Sequence, residues 1–218
     1  DRTDDQALVY VPPPTARYVV VSDIDDTVMH TGVANRLKML WRLFVQSAES
    51  RVAFPGVVEL YRALHDGLDD EGNPMLYVSR APWSVYEVLA AFFRLKGIPE
   101  GPVLFLREWG LTLQRPLPRR AEDHKRDLID GMLRRYRELP FVLIGDSGQH
   151  DPEIYVDIVR RHPDRVRAVY IREVGSNPRR RKEVLSLARE LAEVGCPMIL
   201  AEDSAAMAEH AREIGLIR

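Results

Sequence analysis

The chain has 218 residues, 45% hydrophobic and 29% charged, with a formal net charge of −2. That is ordinary globular composition, enough for one sizeable α/β domain or one domain with a small insertion. The near-neutral balance excludes a global basic field for nucleic acid, and the single Cys196 excludes an internal disulfide or a cysteine-rich zinc site.

Residues 1–17, with PPP at 12–14, read as a linker or the tail of an upstream region, and 18–218 as one domain. The chain opens on Asp1 rather than Met, as a processed or truncated piece would. Short apolar runs near 18–22, 75–79, 103–106, 141–145, 166–171 and 197–201 predict strands. Helical patterns fall between them, near 56–66, 82–96, 123–137, 152–162, 181–194 and 203–214. This βαβα order, with strands apolar on both faces, predicts an α/β fold with a parallel sheet covered by helices on both sides. Pro152 follows Asp151 as a first-turn proline follows an N-cap, and Gly215 closes the last helix.

The stretch 28–55 breaks the rhythm. It carries LKMLWRLFV at 37–45, which as a helix is about 14 Å long at 1.5 Å per residue. That is too short to cross a membrane but long enough to cap a pocket or lie on a lipid surface. No run in the chain approaches the roughly 18–20 apolar residues of a span, and no signal-peptide pattern opens it. The expectation is a soluble, cytoplasmic protein, with a disulfide-free secreted one as the alternative.

Ligands of open parallel sheets bind beyond the carboxyl ends of the strands. Asp23 and Asp25 follow VVVS, Ser79 ends MLYVS and Asp146 ends FVLIG, so three carboxylates and a hydroxyl converge if those strands are neighbours. Two carboxylates 4 Å apart repel by about 4 kcal/mol at an effective dielectric near 20. A hard cation such as Mg²⁺ suits this oxygen-rich, histidine-free set. Each member also has a plain structural reading when taken alone. Asp23–Thr27 makes an acidic turn that caps a helix, Gly145 and Gly148 shape a loop, Asp151 caps a helix, Ser79 is a structural serine and Lys125 a solvated charge. The six histidines show no metal-ligand spacing, and Cys196 at a strand start reads as buried and inert.

DIDDT at 23–27 resembles the DxDx(T/V) motif of haloacid dehalogenase-like phosphohydrolases, and it follows a hydrophobic strand as that motif does. Ser79, Lys125 and GDSGQHD at 145–151 are similar to the second, third and fourth motifs, in order. The longer strings YVSRAPWSVY, HKRDLI and FVLIGDSGQHDPEIY resemble one branch, the actin-patch-type, Mg-dependent phosphatidate phosphatase catalytic domain and its bacterial relatives, over roughly 18–174. The resemblance implies a Rossmann-like three-layer α/β/α fold with at most a small helical cap, here 28–55. It also implies hydrolysis of a phosphomonoester through an aspartyl-phosphate. Asp23 would be the nucleophile and Asp25 the acid and base. Asp23, Asp25 through its carbonyl, Asp146 and Asp151 would serve Mg²⁺. Ser79 and Lys125 would hold the phosphoryl oxygens, and Asp26 and Thr27 would support the loop.

Substrate residues are less legible. Leu40, Trp41, Phe44 and Val45 are candidates for meeting an acyl chain or a membrane, against packing on the helix at 56–66. Arg80, Arg107, Trp109 and His150 are candidates for bordering the pocket. NPRRRKE at 177–183 is either a site for anionic headgroups or a solvated helix start. Phosphatidate at a membrane surface is the leading substrate. The alternatives are the same chemistry on a nucleotide end, sugar phosphate or phosphoprotein, or a catalytically silent domain that binds lipid or protein.

Overall fold

The structure is a computed structural model, and it describes residues 9–24, 56–79, 83, 86–105 and 121–218. Six strands alternate with helices: β1 Val19–Ile24, α1 Val57–Asp66, β2 Met75–Ser79, α2 Tyr86–Lys96, β3 Val103–Phe105, α3 Ala121–Arg135, β4 Phe141–Asp146, α4 Asp151–Arg161, β5 Val166–Arg172, α5 Pro178–Glu193, β6 Met198–Ala201 and α6 Ser204–Glu213. All described strand pairs are parallel, in the order β3-β2-β1-β4-β5-β6. The order reverses at β1: the chain lays β2 and β3 on one side of it, then crosses back to lay β4, β5 and β6 on the other. A crevice opens at such a point, beyond the strands' carboxyl ends.

Alternation along each strand sorts the core into two layers. Tyr18 and Val20 pack with Leu60 and Leu64 of α1, Phe93 of α2 and Met207 of α6. Val19 and Val21 face the other way, against Ile129 and Leu133 of α3, Ile154 and Ile158 of α4 and Val184 and Leu191 of α5. Asp23, two residues beyond Val21, shares that second face. The period of two therefore decides which helices serve it: α3 and α4, the elements that carry Lys125 and Asp151.

Three boundaries differ from the sequence reading. The first strand runs on through Asp23 and Ile24, which stay in register with Val78 and Ser79, so Asp23 belongs to the ladder rather than to a turn beyond it. Helix α5 starts three residues early, at Pro178, because the Asn177 side chain accepts from Arg179 N at 3.1 Å and Arg180 N at 3.3 Å. At α4 the N-cap residue is His150, not Asp151, and no side chain caps that end. The Asp151 carboxylate has stronger partners deeper in the fold.

Residues 15–17 are stitched to the sheet's far end. Thr15 Oγ1 donates to Glu71 O at 2.8 Å, and the Arg17 guanidinium reaches Glu71, Gly215 O and Leu216 O. Among the described residues no helix is long and apolar enough to cross a membrane.

Candidate active site

Asp23 on β1, Asp146 at the tip of β4 and Asp151 at the start of α4 meet at the switch point, with one oxygen of each within 4.8 Å of the others. Lys125 reaches into this group from α3. Its Nζ lies 3.0 Å from Asp23 Oδ1 and 2.5 Å from Asp151 Oδ1, and its side chain is 1% exposed. Asp151 Oδ2 accepts from Asp146 N at 3.1 Å, so one carboxylate holds both the ammonium and the backbone of the next acid. Asp146 Oδ1 accepts from Gly148 N at 2.8 Å and Gln149 N at 3.0 Å. The Gln149 amide donates at 3.4 Å to the Oδ2 atoms of both Asp23 and Asp146. Below the cluster Tyr155 lies 5.7 Å from Lys125 Nζ, ring centroid to ammonium.

Burial sets the charge states. Desolvation pushes the Asp23 carboxyl up to about 7; Lys125 opposes that rise, and Asp151 and Asp146 add to it. For Lys125, burial alone would lower the ammonium, but Asp151 and Asp23 outweigh it and push it up. An ionised Asp23 is therefore costly without further positive charge. Three carboxylates gathered within 4.8 Å, with no nitrogen or sulfur ligand in the group, match the preference of a hard divalent cation. The residues fit such an ion.

Ser79 closes β2, buried and level with Ile24 on β1. His150 is exposed on the rim, its Nε2 3.5 Å from Glu122 Oε1. Asp25, Asp26, Thr27, Leu40, Trp41, Phe44, Val45, Arg80, Arg107 and Trp109, with the whole 28–55 segment, lie outside the described residues. In the 177–183 run Arg179 is 89% exposed and pairs with Glu183, Arg181 pairs with Glu173, and Arg180 turns inward. For Arg180 neither the headgroup nor the solvated reading holds. The Cys196 thiol is buried and pushed up to about 11 by desolvation. Sequence reasoning passed over Gln149 and Arg180. Gln149 lay in plain view inside GDSGQHD, whereas nothing local marks Arg180 among its neighbours.

Comparison with known proteins agrees with this geometry. Residues 18–173 match the family described as phosphatidate phosphatase APP1, catalytic domain. The chain belongs to this APP1 catalytic-domain family. The APP1-family chain is 32% identical over 154 residues to phosphatidate phosphatase APP1 of Saccharomyces cerevisiae, which covers 70% of this chain and 25% of that protein. It is 27% identical over 158 residues to the uncharacterized protein C29B5.04c of Schizosaccharomyces pombe, covering 72% of the chain and 25% of the relative. The similarity thus spans about a quarter of each relative's length. The matched residues of the APP1-family chain include the three switch-point strands, β1, β2 and β4, and every acid of the cluster.

Proposed function

We propose that the protein is a Mg²⁺-dependent phosphomonoester hydrolase, with phosphatidate, converted to diacylglycerol, as its substrate. The observation that carries this reading is the Asp23–Asp146–Asp151 cluster around a buried lysine, at the sheet position where α/β folds bind ligands. Membership of the APP1 family supports the choice of substrate.

Asp23 attacks phosphorus, the bond to the leaving oxygen breaks, and an aspartyl-phosphate forms. Asp25 gives the leaving oxygen its proton, then takes one from the water that hydrolyses the acyl phosphate. Lys125 lowers the cost of the Asp23 anion, which a bound cation would lower further, and with Ser79 offers donors to the phosphoryl oxygens. Asp23, Asp146 and the Asp25 carbonyl would hold the cation, and Asp151 would order its surroundings by fixing Lys125 and the Asp146 backbone. When bound, Mg²⁺ supplies charge stabilisation for the phosphoryl group and screens the clustered acids. This burden is heavy, because phosphate-monoester hydrolysis is among the slowest uncatalysed reactions.

Residues 18–218 act as the phosphatase domain in this reading, with 28–55 as a small cap. Leu40, Trp41, Phe44 and Val45 meet the acyl chains, and Arg80, Arg107, Trp109 and His150 border the headgroup. The protein works at the cytoplasmic surface of a membrane without spanning it, and nucleic acid is no partner. Phosphate release from phosphatidate in mixed micelles, compared with soluble phosphomonoesters at equal Mg²⁺, tests the substrate. The expected kcat/KM is higher for phosphatidate, and Trp41→Ala with Phe44→Ala lowers it selectively in micelles. Equal or better turnover of a soluble ester would overturn phosphatidate while leaving the chemistry intact.

A further inference from the structure

The geometry points to Arg180 as a positioning residue that sets the Asp146 carboxylate for cation binding through the peptide backbone. This rests on the metal-site reading above. Arg180 sits in the first turn of α5, outside the cluster, with a side chain 20% exposed. Its Nε donates to Ser147 O at 2.8 Å and its Nη2 to Gln149 O at 2.7 Å. Glu153 on α4 accepts from Nη1 at 2.5 Å and Nη2 at 3.0 Å, gripping the guanidinium from behind.

The carbonyl of Ser147 and the N–H of Gly148 belong to one planar peptide and point in opposite directions. One end of that peptide is fixed by Arg180, and the other donates to Asp146 Oδ1 at 2.8 Å. A full positive charge on the carbonyl polarises the amide and strengthens its donor end. The second held carbonyl, Gln149 O, closes the loop on its far side. The same residue's N–H also binds Asp146 Oδ1, and its side-chain amide reaches Asp146 Oδ2 and Asp23 Oδ2. Arg180 thus fixes a peptide that grips one oxygen of Asp146 while the other faces Asp23. The planar fork is required, because an ammonium cannot hold two carbonyls and a bidentate carboxylate at once.

Calorimetric titration with Mg²⁺ tests this on the whole chain, with Arg180→Ala, Arg180→Lys and Glu153→Gln, and with Arg179→Ala as control. Loss of a partner that orients a metal ligand weakens metal binding by about 10- to 100-fold. That is expected for Arg180→Ala, with Arg180→Lys and Glu153→Gln between it and the unaltered protein and Arg179→Ala unchanged. Turnover of p-nitrophenyl phosphate should recover as Mg²⁺ is raised, so that the Mg²⁺ midpoint moves while kcat at saturation is largely retained. A purely structural role would instead lower metal-free stability and kcat together and leave the midpoint in place. If Arg180→Ala does not fold, the lysine and Glu153 variants carry the test. Mg²⁺ binding as tight as that of the unaltered protein in the folded variants would overturn the inference alone. Failure of the unaltered protein to bind Mg²⁺ would overturn both the inference and the metal-site reading.

Discussion

A Cβ on residue 145 would meet Asp151 Oδ2 at 2.3 Å and Asp151 Cβ at 2.7 Å, so the carboxylate that holds Lys125 lies directly over Gly145. Gly145→Ala is expected to push Asp151 off both Lys125 and the Asp146 amide. A misplacement of about 1 Å can cost roughly 100-fold in rate, so kcat for p-nitrophenyl phosphate should fall by that order; unchanged kcat would show that Asp151 tolerates displacement. Lys125→Ala removes the cation shared by two buried acids. Breaking a buried pair costs on the order of 3–5 kcal/mol, and urea unfolding of the metal-free variant should register that loss. At this scale the sequence revealed the acids and the lysine because each stands at a strand tip or helix start in a recognisable string. Arg180 stayed hidden, since its value lies in two backbone carbonyls some 31–33 positions away that no side-chain pattern advertises.

Among the elements, the strands were the most legible. They are apolar runs of 3–7 residues, too short for helices. The ends were harder to read, for identifiable reasons. The β1 ladder continues through an aspartate because Lys125 offsets its charge. The first residue of α4 points its carboxylate into the site instead of capping the helix. Where a cap does exist the ordinary rule holds. Asp203 accepts from Ala205 N and Ala206 N at the head of α6, so Asp203→Ala should cost about 1 kcal/mol in urea unfolding. Phosphatase turnover should be unaffected, because α6 packs on the sheet face opposite Lys125. A loss of turnover would tie that helix to the site.

The layering of the whole molecule was readable because βαβ order and two-sided apolar strands admit little else, and β1 between β2 and β4 then follows as the place where acids meet. What recognises the substrate was not: the 28–55 segment proposed to meet it carries no strand-tip logic, only a mostly apolar string open to several uses. The cluster also has a consequence for global stability. Burial pushes Asp23 up to about 7 in the folded protein from an ordinary 3.8, so between these values the folded state holds a proton that the unfolded chain has released. Its stabilising contribution is complete below about pH 4 and is lost as pH rises through 7. Without metal, the stability difference between the unaltered protein and Asp23→Asn should therefore shift against the unaltered protein from pH 5 to pH 8, and added Mg²⁺ should suppress that shift. A shift in the opposite direction would mean that Asp23 is ionised and satisfied without a cation.

The most direct measurement is p-nitrophenyl phosphate hydrolysis with and without Mg²⁺, by the unaltered protein, Asp23→Asn and Asp146→Asn. Mg²⁺-dependent turnover that Asp23→Asn abolishes, and that Asp146→Asn restores only at much higher Mg²⁺, is the expected result. Equal inactivity of all three proteins, or turnover indifferent to Mg²⁺ and to Asp23, would contradict the account.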